Sequence, residues 1–402
     1  MRKSCSKCLY TSEHPFDLNF KNKVCSGCIT HDEKDYLDWK ERYFYLESLI
    51  SKIKRNKRGY DCIVPVIGDA EDFYTLSKVI SLGMSPLIVS VNDYFKNDIG
   101  WQNFHQLITH FDVDSIVYNP DIRTYKELVR TSLRKHDHVL LPFLQLHTSF
   151  PVHVAYERKI PLVIWGQNQS IEQVGKFSHL DEVKMSRWSR RQHDLFEIEL
   201  DDLIGSGGQI NRRYCNYYNY PKVYNLDRRG IQGIYLSNYF RWDPLYQNKS
   251  TMIYGFQPEK NYYSFDTYER AGSSIYYKVH DLLKYKRNGY KKIRDHLTRE
   301  IRHKRISRSA ALKLEAEYLK VKVNIKHFFD WLEVSKSGYE WFKKHRLSEV
   351  EHLITESNDK LYEPTLPSSI KKMISKSKSV HQEFLLFDKG IDITIGEQHK
   401  TP

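Results

Sequence analysis

The stretch Tyr60–Leu76, YDCIVPVIGDAEDFYTL, decides how this chain is read. An apolar run from Cys62 to Val66 reaches Ile67-Gly68, passes through a polar turn and enters a helical pattern at Phe73. A buried strand feeding a tight loop and a helix N-terminus makes a ready anion cradle, because backbone N–H groups and the helix dipole converge there. The turn nevertheless carries Asp69, Glu71 and Asp72, where an anionic ligand would sit. Two unit charges about 4 Å apart repel by roughly 4 kcal/mol at an effective dielectric near 20. The segment therefore joins a nucleotide-binding layout to a charge pattern that opposes it. Asp69 and Asp72 also suit the N-cap and first turn of the helix that follows.

Outward from this segment the pattern alternates. Strands are expected at Cys62–Val66, Pro86–Val91, Ser115–Tyr118, His138–Leu141, Pro161–Trp165 and Gly233–Leu236. Helices are expected between them at Phe73–Ser81, Gln102–Phe111, Tyr125–Lys135 and Phe150–Arg158. Mostly apolar strands alternating with helices predict an α/β fold, a parallel sheet with helices on both faces. Ligands of such sheets bind beyond the carboxyl ends of the strands, so the loops after Val66, Val91, Leu141 and Trp165 should surround one cleft. Residues 59–260 form this α/β domain. A basic helical domain is expected at 261–350, and a Ser/Lys-rich tail at 351–402 is expected to be partly disordered. Gly205-Ser206-Gly207-Gly208 reads as a plain turn.

The N-terminus carries Cys5-x2-Cys8 and Cys25-x2-Cys28, sixteen residues apart. A two-residue gap lets both sulfurs of a pair face one ion, and two such knuckles complete a tetrahedral thiolate site. So short and polar a segment cannot fold on apolar burial alone; structural zinc supplies on the order of 10 kcal/mol of apparent folding energy. Residues 1–35 are thus expected to be a zinc module with Cys5, Cys8, Cys25 and Cys28 as ligands, joined to the sheet by a linker helix at 36–58. Disulfides or unpaired thiols are the other readings; disulfides are disfavoured because MRKSCSKCLY has no apolar signal segment.

The 402 residues are 40% hydrophobic and carry a formal net charge of +13. That charge favours anionic partners such as a nucleotide, a nucleotide-sugar, nucleic acid or an acidic protein, and a lysine-rich soluble protein fits equally well. No apolar run reaches the roughly 18 residues of a membrane span, and the expected location is the cytoplasm. Residues 284–308 hold eleven Lys/Arg and two acids, which reads as a diphosphate or nucleic-acid contact or as a solvated helix face. His280-Asp281 reads as helix surface. Trp242-Asp243 offers an aromatic face and a carboxylate, a substrate-binding platform for a sugar, or else a loop anchored by a buried Trp.

Together these motifs resemble the N-acetyl sugar amidotransferase family, enzymes of PP-loop ATP pyrophosphatase type in surface-polysaccharide biosynthesis. The resemblance rests on the cysteine knuckles, on YDCIVPV, on IPLVIWGQN at 160–168, on GIQGIYLSNYFRWDP at 230–244 and on the basic stretch 278–311. It implies a PP-loop (adenine nucleotide alpha hydrolase-like) sheet. It also implies ATP with Mg2+ activating the acetamido oxygen of a nucleotide-linked N-acetyl sugar, which ammonia then converts to acetamidino. In this family the ammonia comes from a glutaminase and an ammonia-channel subunit resembling those of imidazole glycerol phosphate synthase. The product would serve lipopolysaccharide, O-antigen or another surface glycan.

The chain departs from the family at two places. The family loop Ser-Gly-Gly-x-Asp-Ser becomes Ile67-Gly68-Asp69-Ala70-Glu71-Asp72. Gly68, Asp69 and Asp72 thus stand at the cofactor-binding positions, Glu71 keeps the acidic one, and the ATP site is expected to be degenerate. Gly-Glu-Asn becomes Gly166-Gln167-Asn168, which puts Gln167 and Asn168 beside Glu71 as the catalytic candidates. Three readings stay open: an ATP-dependent amidotransferase, a non-catalytic relative that binds the sugar nucleotide or its partners, and a PP-loop tRNA-modifying enzyme. The last would need cysteines at the cleft, and nucleic acid is not the expected partner.

Overall fold

The computed structural model describes residues 3–16, 18–54, 59–181, 183–204, 210–260 and 263–356, with Pro364. The expected turn at Gly205–Gly208 and the tail beyond 356, Pro364 apart, lie outside these residues.

The N-terminal module is a hairpin, β1 (Phe20–Lys21) and β2 (Val24–Cys25), followed by helix α1 (Ser26–Glu33). Helix α2 (Trp39–Lys54) then buries Leu46 and Ile50 against the main body. The main sheet has five strands: β3 (Cys62–Pro65), β4 (Pro86–Val91), β5 (Ser115–Tyr118), β6 (Leu162–Trp165) and β7 (Gln232–Tyr235). Their order is β5-β4-β3-β6-β7, and every pairing is parallel, with Ile63 opposite Leu87 on one side and Val163 on the other. The expected α/β architecture is therefore present, flanked by helices and followed by a helical C-terminal region.

Strand alternation divides the core. Ile63, Leu87, Val89 and Val163 join one apolar cluster; Cys62, Val64, Ile88, Leu162 and Ile164 join another on the opposite face. Both faces are covered, so the strands read as unbroken apolar runs. Helix α3 (Ala70–Ser81) connects β3 to β4, and α4 (Asp98–Phe111) connects β4 to β5. Asn97 caps α4 by accepting the Gly100 N–H at 3.0 Å, and Asp112, in the left-handed conformation, ends it.

One expected strand is corrected. His138–Leu141 leads into a helix, α6 (Leu141–Arg158), which follows α5 (Ile122–His136). Pro142 sits in the first turn of α6, where its missing N–H costs nothing, and the expected helix Phe150–Arg158 is the second half of the same element. Helix α6 is buried on nearly all sides, so its sequence has no polar face and periodicity cannot separate it from a buried strand.

The order of the strands fixes the site. After β3 the chain turns to one side of the sheet, and after β6 to the other, so β3 and β6 are neighbours whose connections diverge. A crevice opens beyond their carboxyl ends.

Candidate functional site

A cleft of about 260 Å³ occupies that crevice. Its floor is the loop after β3 and the loop after β6, with Asp69, Glu71, Asp72, Gln167 and Asn168 in the lining. Helix α6 contributes Phe143 and His147 on one side. Residues Tyr268 to His303 of the helical region form the opposite wall, and Tyr10 and His31 of the cysteine module close an end. Of the four loops expected to meet here, the one after Val91 does not line the cleft, and Leu141 is replaced by the first turns of α6.

The loop after β3 is a nest of backbone donors already filled from within. The N–H groups of Ile67, Gly68 and Asp69 all donate to Asp72 Oδ2, at 2.7, 2.8 and 3.0 Å. Successive N–H groups converge on one point only because the backbone turns sharply, and Gly68 supplies that turn at φ 95°. A Cβ at Gly68 would also press to 3.2 Å on the Phe104 backbone nitrogen. Asp69 occupies the N-cap position of α3 and Asp72 the third helical position, so Asp72 also closes one arm of a capping box. The carboxylate thus takes the place that an anion would take at this helix N-terminus.

Glu71 faces the other loop. Its Oε1 accepts the Gln167 N–H at 2.6 Å. That approach requires glycine at 166, where a Cβ would lie 2.3 Å from Glu71 Oε1 and 2.7 Å from Thr75 Oγ1. Burial pushes Glu71 up to about 8, with repulsion from Asp72 adding to it. Burial likewise raises Asp72 to about 7, against the pull of its three N–H donors. Asp69 rises to about 6, again by burial, with the Arg270 charge opposing. Asn168 is buried; its N–H donates to Ser237 Oγ at 2.9 Å and its Oδ1 accepts from Ser170 at 2.5 Å. Its Nδ2 has no partner among the described residues. The structure therefore brings together Gly68, Asp69, Glu71, Asp72, Gln167 and Asn168.

Trp242 and Asp243 do not line the cleft, though Asp243 lies 3.7 Å from His303, which does. Trp242 is 1% exposed and meets Tyr74 edge-on at 5.4 Å, so its faces belong to the core. Asp243 caps the helix Pro244–Ser250 and pairs with Arg305.

Sequence reasoning missed the wall opposite α6. Lys292 Nζ and His296 Nε2 each lie 2.6 Å from a Glu269 oxygen, and Arg299 Nη2 lies 2.8 Å from Asp266 Oδ2. Asp266, Glu269 and His296 offer ligand atoms within 4.8 Å of one another, and Lys292 and Arg299 already balance that charge. The acidic partners of these cations lie upstream of the basic run, in SFDTYER at 264–270, so the spacing within the run did not signal this pairing.

That run is neither a solvated face nor an open basic patch. Lys284 pairs with Asp295, Lys286 with Asp137, Arg294 with Glu315 and Arg305 with Glu300. Lys291 donates to Val321 O and Arg308 to Cys8 O. His280-Asp281 is also not helix surface: Asp281 is 2% exposed and accepts the Lys292 N–H at 2.6 Å, and His280 meets His138 at 4.7 Å.

All four knuckle cysteines are buried, and their sulfurs lie within 4.8 Å of one another. Metal–sulfur bonds of about 2.3 Å in a tetrahedron set sulfurs about 3.8 Å apart. Cys8 and Cys25 are 3.6 Å apart and Cys5 and Cys28 4.0 Å, so the cluster fits a four-coordinate ion. The Cys25 N–H points at Cys5 Sγ (3.3 Å) and the Tyr10 N–H at Cys8 Sγ (3.5 Å), donors that favour thiolate. His14 and His31 are not among the ligands.

Comparison with known proteins adds three findings. Residues 259–384 match the family model described as "LPS biosynthesis protein WbpG-like, C-terminal domain". No curated protein matches the sequence. Among solved structures, the NMN synthetase of Francisella tularensis is similar at 11% identity and a TM-score of 0.28, covering 54% of this chain and 96% of that one. The NH3-dependent NAD synthetase of Campylobacter jejuni subsp. jejuni NCTC 11168, in complex with nitrate, is similar at 11% and 0.27, covering 56% and 98%. No helix among the described residues is long and apolar enough to cross a membrane.

Proposed function

We propose that this chain is a surface-glycan biosynthesis protein of the N-acetyl sugar amidotransferase type, on a PP-loop architecture, whose ATP-phosphate position is closed by its own Asp72. In this reading the cleft recognises a nucleotide-linked N-acetyl sugar and does not consume ATP. The observation that carries it is the Asp72 carboxylate held by three backbone N–H groups. A phosphate would have to displace the Asp72 carboxylate and then sit beside Asp69. The match at 259–384 supports the glycan pathway, because Glu269, Arg270, Lys292 and His296 of that region wall the same cleft as Glu71 and Gln167. Zinc is the ion we assign to the four cysteines, with a structural role, since four thiolates leave no open coordination position.

One observation favours the ATP-dependent reaction itself. Glu71 remains in the cleft with its carboxyl raised to about 8, a proton donor or acceptor poised for ammonia addition to an acetamido carbon. That reading requires Asp72 to leave the nest, and a partner glutaminase to deliver ammonia. The tRNA-modifying reading has no support of this kind, because Cys62 is sealed in β3 and Cys215 does not line the cleft.

Calorimetric titration separates the readings. The expected outcome is no heat of binding with Mg·ATP at physiological concentration, and saturable binding of a UDP-N-acetyl sugar. Stoichiometric ATP binding, with pyrophosphate released on adding the sugar nucleotide, would sink the closed-loop reading and restore the amidotransferase.

A further inference from the structure

The cysteine module is built into the cleft through a close backbone junction. Ser26 Oγ, inside the second knuckle, donates to Val174 O at 2.8 Å. A Cβ on Gly27 would lie 2.3 Å from Arg302 Nη2 and 2.7 Å from Gln173 O. Gly175, at φ 59°, would bring a Cβ to 2.6 Å from the Ser26 backbone. Glycine at both positions lets the knuckle sit directly on the segment that leaves the cleft, helix α7 (Gln169–Glu172) and the residues after it.

Arg302 is half-buried in this junction, with its Nε enclosed. Its Nη1 donates to the carbonyls of Glu172 and Gln173 at 3.1 and 2.7 Å. Its Nη2 points at Cys25 Sγ, 3.9 Å away, and the guanidinium lies over the Tyr10 ring at 5.4 Å. Tyr10 completes the connection: its hydroxyl donates to Asp295 Oδ1 at 2.8 Å and accepts from Gln173 Nε2 at 3.2 Å. Four thiolates around a divalent ion carry a net charge near −2, which attracts a half-buried guanidinium more strongly than neutral thiols would.

We propose that Arg302 is a positioning residue that couples metal occupancy of the cysteine cluster to the shape of the cleft. The charge of the metal–thiolate cluster holds the guanidinium. The guanidinium holds the carbonyls of Glu172 and Gln173, and so fixes the segment that begins at Gln167-Asn168. Metal loss then releases one wall of the cleft while leaving the far edge of the sheet intact. The inference rests on metal binding by the four cysteines and is independent of whether the cleft takes ATP or a sugar.

The test uses the full chain loaded with zinc, as wild type and as Arg302→Met, which keeps the bulk and removes the charge. Three quantities are read: transfer of zinc to a chromophoric chelator, hydrogen exchange of peptides spanning 166–176 against peptides of β5, and the thiolate-to-cobalt charge-transfer band of the cobalt-substituted protein. Loss of a residue that supports metal ligands costs 10–100-fold in affinity. We expect R302M to release zinc at least about tenfold faster, with faster exchange at 166–176, unchanged exchange in β5 and a shifted cobalt band. Chelated wild-type protein should show the same local rise in exchange. It carries the test alone if R302M does not fold. Wild-type release and exchange in R302M, or unchanged exchange at 166–176 after chelation, would overturn the coupling. Failure of the wild type to retain zinc or cobalt would overturn the metal assignment on which it stands.

Discussion

Replacing Asp72 with alanine tests the filled nest most directly. The substitution removes the acceptor shared by the Ile67, Gly68 and Asp69 N–H groups. Each buried donor left without a partner costs about 1 kcal/mol or more, so three give about 3 kcal/mol. Two effects act against this. Burial disfavours the Asp72 charge, as its rise to about 7 shows, and removing that charge relieves repulsion with Asp69. Water entering from the cleft would also satisfy some of the donors. The net expectation is a loss of about 2 kcal/mol, a sizeable share of a typical stability of about 5–15 kcal/mol. Urea unfolding followed by tryptophan fluorescence measures it. An emptied nest should also accept an added anion: inorganic phosphate should stabilise Asp72→Ala, rising with the logarithm of concentration, and leave wild type unchanged. A loss below about 0.5 kcal/mol, or equal phosphate responses in the two proteins, would refute the argument that the carboxylate occupies an anion site.

Three further outcomes are expected. Glu71 and Asp72 have folded values of about 8 and about 7, above their ordinary values of 4.5 and 3.8, so the fold binds their protons more tightly than the unfolded chain does. Their contribution is fully present below about pH 4 and lost as pH rises through 7–8; Glu71→Gln should flatten that decline by on the order of 2–4 kcal/mol in urea unfolding between pH 5 and 9. Gly166→Ala should cost about 1–3 kcal/mol, because its methyl displaces Glu71 from the Gln167 N–H, and Glu71→Ala in the same chain should recover part of the loss. Filter binding with tRNA near physiological salt should show no salt-sensitive retention, because most cations of 284–308 have internal partners; retention falling steeply with salt would contradict that pairing.

What was legible in the sequence was local. The strand–loop–helix at Tyr60–Leu76 showed because an apolar run, a glycine and two capping acids lie within a few residues. The cysteine cluster showed because each cysteine pair is a fixed-spacing device. The parallel sheet showed because strands buried on both faces must be apolar throughout. The failures share one cause, that burial is set by distant chain. The approach to helix α6 at His138–Leu141 looked like a strand, and only Phe150–Arg158 looked helical, because neighbours cover nearly all sides of α6. Trp242 looked like a sugar platform until Tyr74 and the surrounding core enclosed it.

The acidic turn shows the division most clearly. The sequence alone determined that Asp69, Glu71 and Asp72 crowd a helix N-terminus, and that this opposes a phosphate. It left undecided whether those acids point outward as caps or inward as occupants. The loop's own geometry turned Asp72 onto three N–H groups within five residues, and the tertiary structure turned Glu71 across to the loop after β6. It also delivered Lys292, His296 and Arg299 to the opposite wall and seated the cysteine module on the cleft through Arg302. The physical reason is range. Capping and ligand spacing act over three or four residues, whereas pairing of buried charges depends on which remote segments the packing brings within about 3 Å.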